Sequence, residues 1–144
     1  MNRTDATDRS DTFKRSDTLV SLPIRRSRGF APLPAHLPGT RRVLAVGGDM
    51  KNTFTLTTGH YAHVSPHIGE MHSLAARRAF RTSLAQLRTL TGADPELVVC
   101  DMHPDFATAD IAADIADSLG VPLVAVQHHH AHALSLLAEN PALL

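Results

Sequence analysis

The chain has 144 residues, 43% of them apolar, enough for one modest domain around one core. Its 14 Lys and Arg balance its 14 Asp and Glu, so net charge selects neither a polyanionic nor a polycationic partner. The single cysteine, Cys100, excludes a disulfide framework and suits a reducing compartment.

Charge is nonetheless unevenly spread. Up to Arg28 there are seven basic and four acidic residues, whereas Asp94 to Glu139 holds eight acidic residues and no basic one. The acidic half argues against a nucleic-acid surface and suits either a cation or a solvated face. No apolar run has membrane length and there is no signal-peptide core, so the expectation is a cytoplasmic protein without a membrane or nucleic-acid partner.

Residues 1–18 are mostly Asp, Thr, Ser and Arg and are expected to be disordered. Residues 19–40 carry Pro23, Pro32, Pro34 and Pro38. Proline fixes φ and lacks an N–H donor, so this stretch reads as an extended connector. An ordered unit is expected over 41–144. Its first strand is "VLAVGG", followed by "NTFTLTT" and, after a turn at Thr58-Gly59, "GHYAHVS". The "GGDMKN" link suits a tight hairpin with glycine at positive φ.

From Gly69 the apolar period changes. Phe80, Leu84 and Leu87 predict an amphipathic helix stopped near Gly92. "ELVVCD" reads as a buried strand with Cys100 as a small apolar side chain. Thr108 is the expected N-cap of a helix with Ile111, Ile115 and Leu119 inside, Asp110, Asp114 and Asp117 outside, and Gly120 at its end. "PLVAVQ" reads as another buried strand, after which "HHHAHALSLLAE" opens a helix. The predicted order is βββαβαβα. A three-strand meander followed by two strands joined through a helix is the ribonuclease H-like layout, the first-lobe half-unit of actin-like ATPases, although a fold by itself establishes no function.

In a helix starting at Gln127, His128 and His132 stand at i and i+4 on one face. Two neutral imidazoles so placed can hold one divalent ion from the same side. They also follow a strand end, where open α/β sheets bind ligands. His129 and His130 point elsewhere and could bind phosphate, cap the helix or support the first pair.

"VLAVGGDMKNTF", "HVSPHIGEM", "VVCDMHPDFATADIAADI" and "GVPLVAVQHHHAHALSLLAE" together resemble the HypF carbamoyltransferase family, at the start of its C-terminal transferase domain. "LPIRRSRGFAPLP" resembles the tail of that family's YrdC-like domain. The resemblance implies formation of carbamoyl adenylate from carbamoyl phosphate and ATP. The carbamoyl group then passes to a cysteine thiolate of a HypE-like acceptor during maturation of nickel–iron hydrogenases. TobZ-like small-molecule carbamoyltransferases are relatives of this family. A threonylcarbamoyl transferase acting on tRNA is disfavoured by the lack of basic residues after Arg88.

By the same resemblance, His128 and His132 hold iron or zinc. Gly47, Gly48, Lys51, Asn52, Asp101, His103 and His129 become candidate contacts to nucleotide or carbamoyl adenylate. A Gly-rich turn with one ammonium suits a polyphosphate, and an exposed hairpin lysine is the alternative for Lys51. Asp101 and Asp105 are turn formers by residue type alone. Glu70 reads as compensating a helix dipole, and His36, His60, His63 and His72 read as surface residues. The family's Cys-rich motifs and second lobe have no counterpart in the sequence, so the expectation is a first lobe that does not act alone and calls for a separate chain carrying the other lobe. A metal- or partner-binding remnant without catalysis is the other class of function these residues allow.

Overall fold

The computed structural model describes residues 34–139. The expected disorder of residues 1–18, and most of the connector, lie outside the described residues. Six strands and three helices form a mixed α/β fold: β1 (Ala35–His36), β2 (Val43–Ala45), β3 (Thr55–Thr58), β4 (Tyr61–Val64), α1 (Leu74–Thr91), β5 (Leu97–Asp101), α2 (Ala107–Leu119), β6 (Leu123–Val126) and α3 (His128–Glu139). The sheet order is β1-β4-β3-β2-β5-β6. β2, β3 and β4 form the antiparallel meander, while β5 runs parallel to β2 and β6 parallel to β5.

The strand beyond the predicted order is β1, within the stretch read as connector. Ala35 pairs with Ala62 and His36 with Tyr61. Residues flanked by prolines are already extended, and an extended segment beside an open sheet edge can pair without rearrangement.

The core follows from alternation. Leu44 lies opposite both Leu56 and Val98 in register, and all three are fully buried. α1 adds Ala76, Phe80 and Leu84, and α2 adds Ile111, Ala112, Ile115 and Ala116. Phe80 meets Phe54 with ring centroids 4.8 Å apart. Both predicted helix stops hold: Gly92 and Gly120 sit at φ 63° and 64°, a left-handed conformation that glycine adopts without a Cβ clash. α1 starts at Leu74 with no acidic residue in its first turn, and Glu70 lies three residues before its N-cap, Ser73.

Three expectations are corrected. The β2–β3 link is not a tight hairpin but a loop from Val46 to Phe54, with positive φ at Gly47 (74°) and at Lys51 (50°). Thr108 does not cap α2. The N-cap position is Phe106, which offers no side-chain bond. The capping acceptor is Asp49, whose carboxylate takes the N–H of Ala107 at 2.7 Å and of Thr108 at 2.9 Å. β6 is a strand but not a buried one. It is the last in the sheet order, with Leu123 41% and Val124 43% exposed. An apolar run shows that a strand seeks cover, not that it has cover on both faces. α3 is similar, with no residue from His128 to Leu136 buried. No helix among the described residues is long and apolar enough to cross a membrane.

Two predictions follow from this packing. Phe80→Ala removes a fully buried ring and should cost about 3–5 kcal/mol in urea unfolding. A Cβ at Gly47 would stand 2.2 Å from the Thr53 carbonyl oxygen, whereas one at Gly59 would meet open space. Both glycines have positive φ, so Gly59→Ala should cost about 1–2 kcal/mol. Gly47→Ala should cost clearly more; equal losses would contradict the close approach at Gly47.

Candidate metal centre

Parallel pairing of β5 and β6 sets Asp101 opposite Val126, at the carboxyl ends of both strands. Two residues beyond Val126 the chain has turned into α3, and His128 stands over Asp101. Its Nδ1 lies 2.6 Å from Asp101 Oδ2. The other carboxylate oxygen, Oδ1, accepts the His103 N–H at 2.9 Å. The Asp101 side chain is 9% exposed, and burial alone would raise its pKa. The hydrogen bonds from His128 and from the His103 backbone outweigh that and hold the carboxyl below its ordinary value.

An Nδ1–H given to a carboxylate fixes the His128 tautomer and leaves the Nε2 lone pair outward. One turn later, His132 places its own Nε2 3.1 Å from that atom. Two nitrogens about 2.0–2.1 Å from one ion, at tetrahedral or octahedral angles, stand roughly 2.8–3.4 Å apart. The spacing therefore fits a shared ion, and it equally fits one N–H···N bond with His132 as donor. The donor set itself, two imidazoles with a carboxylate behind one of them, fits iron or zinc. Among the described residues no third His, Cys, Asp or Glu joins the pair to form a larger cluster.

The remaining candidates divide into three groups. His129 and His130 serve the helix start: Gln127 Oε1 accepts the His130 N–H at 2.8 Å, and the Gln127 amide lies 2.9 Å from His129 Nδ1. His103 is at the same rim, its ring stacked on Phe106 at 4.3 Å and its Nδ1 accepting the Asp105 N–H at 3.3 Å. Among the described residues no hydrogen bond joins the Gly47–Asn52 loop to His103 or to the His128–His132 cluster; the histidine it does meet is His72, whose Nε2 lies 3.1 Å from Asp49 Oδ2. Lys51 is exposed. Asn52 is 1% exposed, and its amide donates to the carbonyls of Val46 and Gly48 at 2.8 and 2.7 Å, so it shapes the loop. A methyl group on Gly48 would lie 3.6 Å from the Phe106 ring, which brings this loop beside the β5–α2 turn. Cys100 is buried, which with the neighbouring Asp101 charge pushes its thiol pKa up. The residue that the sequence did not single out is Asp49. The two amides it accepts lie 58 and 59 residues away, and no local signal marks them.

Residues 38–139 match the family model described as the HypF Kae1-like domain. The chain belongs to the HypF family. It is 45% identical over 118 residues to the carbamoyltransferase HypF2 of Cupriavidus necator, covering 81% of this chain and 15% of that protein. It is also similar to the crystal structure of full-length HypF in its phosphate- and nucleotide-bound form, with TM-score 0.68 and 40% identity over 79% of this chain and 15% of the other. HypF from T. kodakarensis superposes with TM-score 0.76 at 35% identity, over 82% and 16% of the two chains. This HypF-family chain thus spans about 15% of the length of these relatives.

The lowered Asp101 pKa carries a sign. A carboxylate depressed by folding stabilises the fold fully above its unfolded pKa, and that contribution is lost as pH falls through the folded value. Asp101→Asn should therefore melt below the parent chain at neutral pH, and the gap should close on acidification. Calorimetric melts across that range test this; a gap that widens in acid would contradict it.

Proposed function

We propose that this chain supplies the metal-holding first lobe of a HypF-type carbamoyltransferase. The observation that carries the reading is the convergence of His128 Nε2 and His132 Nε2 at 3.1 Å, with Asp101 behind His128. The sheet order supports the finer fold assignment: a β4-β3-β2 meander continued by parallel β5 and β6 is the ribonuclease H-like arrangement. Ligand sites in such sheets gather at the carboxyl ends of the strands, where this pair stands.

In the proposed mechanism His128 and His132 bind iron or zinc, which when bound supplies Lewis-acid polarisation of a carbonyl or phosphoryl oxygen. Asp101 holds the His128 ring in the tautomer that offers Nε2. The exposed Lys51 ammonium and the backbone of the Gly47-Gly48 turn receive the phosphate of carbamoyl adenylate. A relative solved with phosphate and nucleotide bound supports a nucleotide as ligand. The cysteine thiolate of a HypE-like protein takes the carbamoyl group in cytoplasmic hydrogenase maturation: the C–S bond forms as the carbamoyl C–O bond to the adenylate phosphate breaks, and AMP leaves. The second lobe, needed to enclose the nucleotide, completes the metal shell. The acidic stretch from Asp94 onward disfavours a nucleic-acid acceptor.

Calorimetric titration of Co²⁺ or Zn²⁺ tests the site. His128→Ala and His132→Ala should each weaken binding at least tenfold, His130→Ala less than twofold, and Asp101→Asn by about 10–100-fold as an outer-shell partner. In a full-length HypF, replacing the two histidines that align with His128 and His132 should abolish carbamoylation of the acceptor thiol, read by mass spectrometry. Loss of metal binding in His130→Ala with retention in His128→Ala would overturn the assignment.

A further inference from the structure

The Gly47–Asn52 loop is held from inside. Asp49 is 3% exposed, yet it is a charged residue in a loop. Its Oδ2 accepts the Ala107 N–H at 2.7 Å and lies 3.1 Å from His72 Nε2, while its Oδ1 accepts the Thr108 N–H at 2.9 Å. Its backbone carbonyl accepts the Met71 N–H at 3.0 Å. One residue therefore joins the β2–β3 loop, the approach to α1 and the first turn of α2.

α2 has no substitute for this carboxylate. Phe106 at the N-cap position offers no side-chain acceptor, and the Thr108 hydroxyl is buried without a partner. The first amides of a helix need an acceptor, and the positive end of its dipole favours an anion. The loop depends on the same bond. Gly47 cannot accept a Cβ, and Lys51 is the one non-glycine residue at positive φ among the described residues. A lysine persists in that conformation only where its surroundings over-determine it. Asp49 and Asn52, both buried on either side of the exposed Met50 and Lys51, do so. The other end of the connection is the Asp101–Phe106 turn, which runs from the carboxylate that orients His128 to the start of α2. Phe106 stands beside Gly48 and stacks on His103.

We infer that Asp49 is a positioning residue: it locks the Lys51 loop and the Asp101–Phe106 turn into one unit, so that Lys51 and the His128–His132 pair present a fixed geometry to an anionic, metal-coordinating ligand. The link to the histidines rests on the metal reading above, whereas the locking of the two loops does not.

Amide hydrogen exchange on the full chain tests the lock without any metal. In the parent protein the amides of Ala107, Thr108, Asn52 and Met71 should open together with a common free energy. Asp49→Asn retains one acceptor oxygen and turns a donor toward the second amide. Exchange should then speed up at least tenfold in both loops and at Ala107 and Thr108, while Phe80 and Leu84 in α1 change little. Leu84→Ala, a core variant away from both loops, serves as the reference for plain destabilisation and should reverse that pattern. Co²⁺ titration supplies the second reading: Asp49→Asn should weaken binding about 3–10-fold, less than the roughly 10–100-fold of a residue that bonds a ligand directly, and Leu84→Ala less than twofold. If Asp49→Asn lowers the melting temperature but follows Leu84→Ala in both measurements, Asp49 is a helix cap and nothing more. If Asp49→Asn does not fold, the parent exchange pattern decides, and separate opening energies for the loop and the α2 amides overturn the lock. Absence of Co²⁺ uptake by the parent chain would overturn the metal reading and leave the exchange result to judge Asp49 alone.

Discussion

A helix that begins in the protein interior must find acceptors for its first N–H groups, and the start of α2 has none in its own sequence. Asp49 meets that demand from a loop 58 residues earlier in the chain. A carboxylate carried this deep is tolerable only because two backbone amides and His72 surround it. A capping side chain of this kind is worth about 0.5–2 kcal/mol. Its larger consequence is geometric. The bond fixes where α2 departs from the end of β5, and β5 carries Asp101.

From Asp101 outward the site is a consequence of sheet register. The parallel pairing of Asp101 with Val126 leaves His128 within reach of the carboxylate as the chain turns into α3. Gln127 closes the start of α3 through the His130 amide, and the helical repeat then brings His132 back over His128. Three imidazoles of the cluster thus have different neighbours, and His130 takes part through its backbone N–H. His128 has the carboxylate, His132 has His128, and His129 has the Gln127 amide. Four histidines in five positions are one pair of candidate ligands and a helix start.

The two sides of the fold differ in how firmly they are held. The Leu56–Leu44–Val98 row and the helix residues against it are closed to water, whereas β6 and the first nine residues of α3 are not buried. The candidate metal ligands therefore stand on the side of the structure with the least packing of its own. Their geometry depends on hydrogen bonds, chiefly that between His128 and Asp101, more than on a hydrophobic enclosure. This also explains why a buried carboxylate at Asp49 matters for a site it does not touch.

Much of this was legible in the order of residues. The strand periods, the Phe80–Leu84 and Ile111–Ile115 stripes, the glycine stops at Gly92 and Gly120, the pairing of His128 with His132 and the family itself were all local patterns, because helix and strand repeats are set within a few residues. What the chain could not show by itself was decided by contacts between distant segments. An apolar "PLVAVQ" carries no mark of which face another element covers. Thr108 has the chemistry of an N-cap, but the positions of α2 and the β2–β3 loop give that task to Asp49. Asn52, a candidate ligand contact in a Gly-rich turn, also holds that turn through amide bonds to the Val46 and Gly48 carbonyls, which the order of residues does not show. Sequence determined which segments would be helix or strand and which side chains could bind a metal. Tertiary structure decided which polar groups face one another, because hydrogen-bond partners are matched by distance in space and not by distance along the chain.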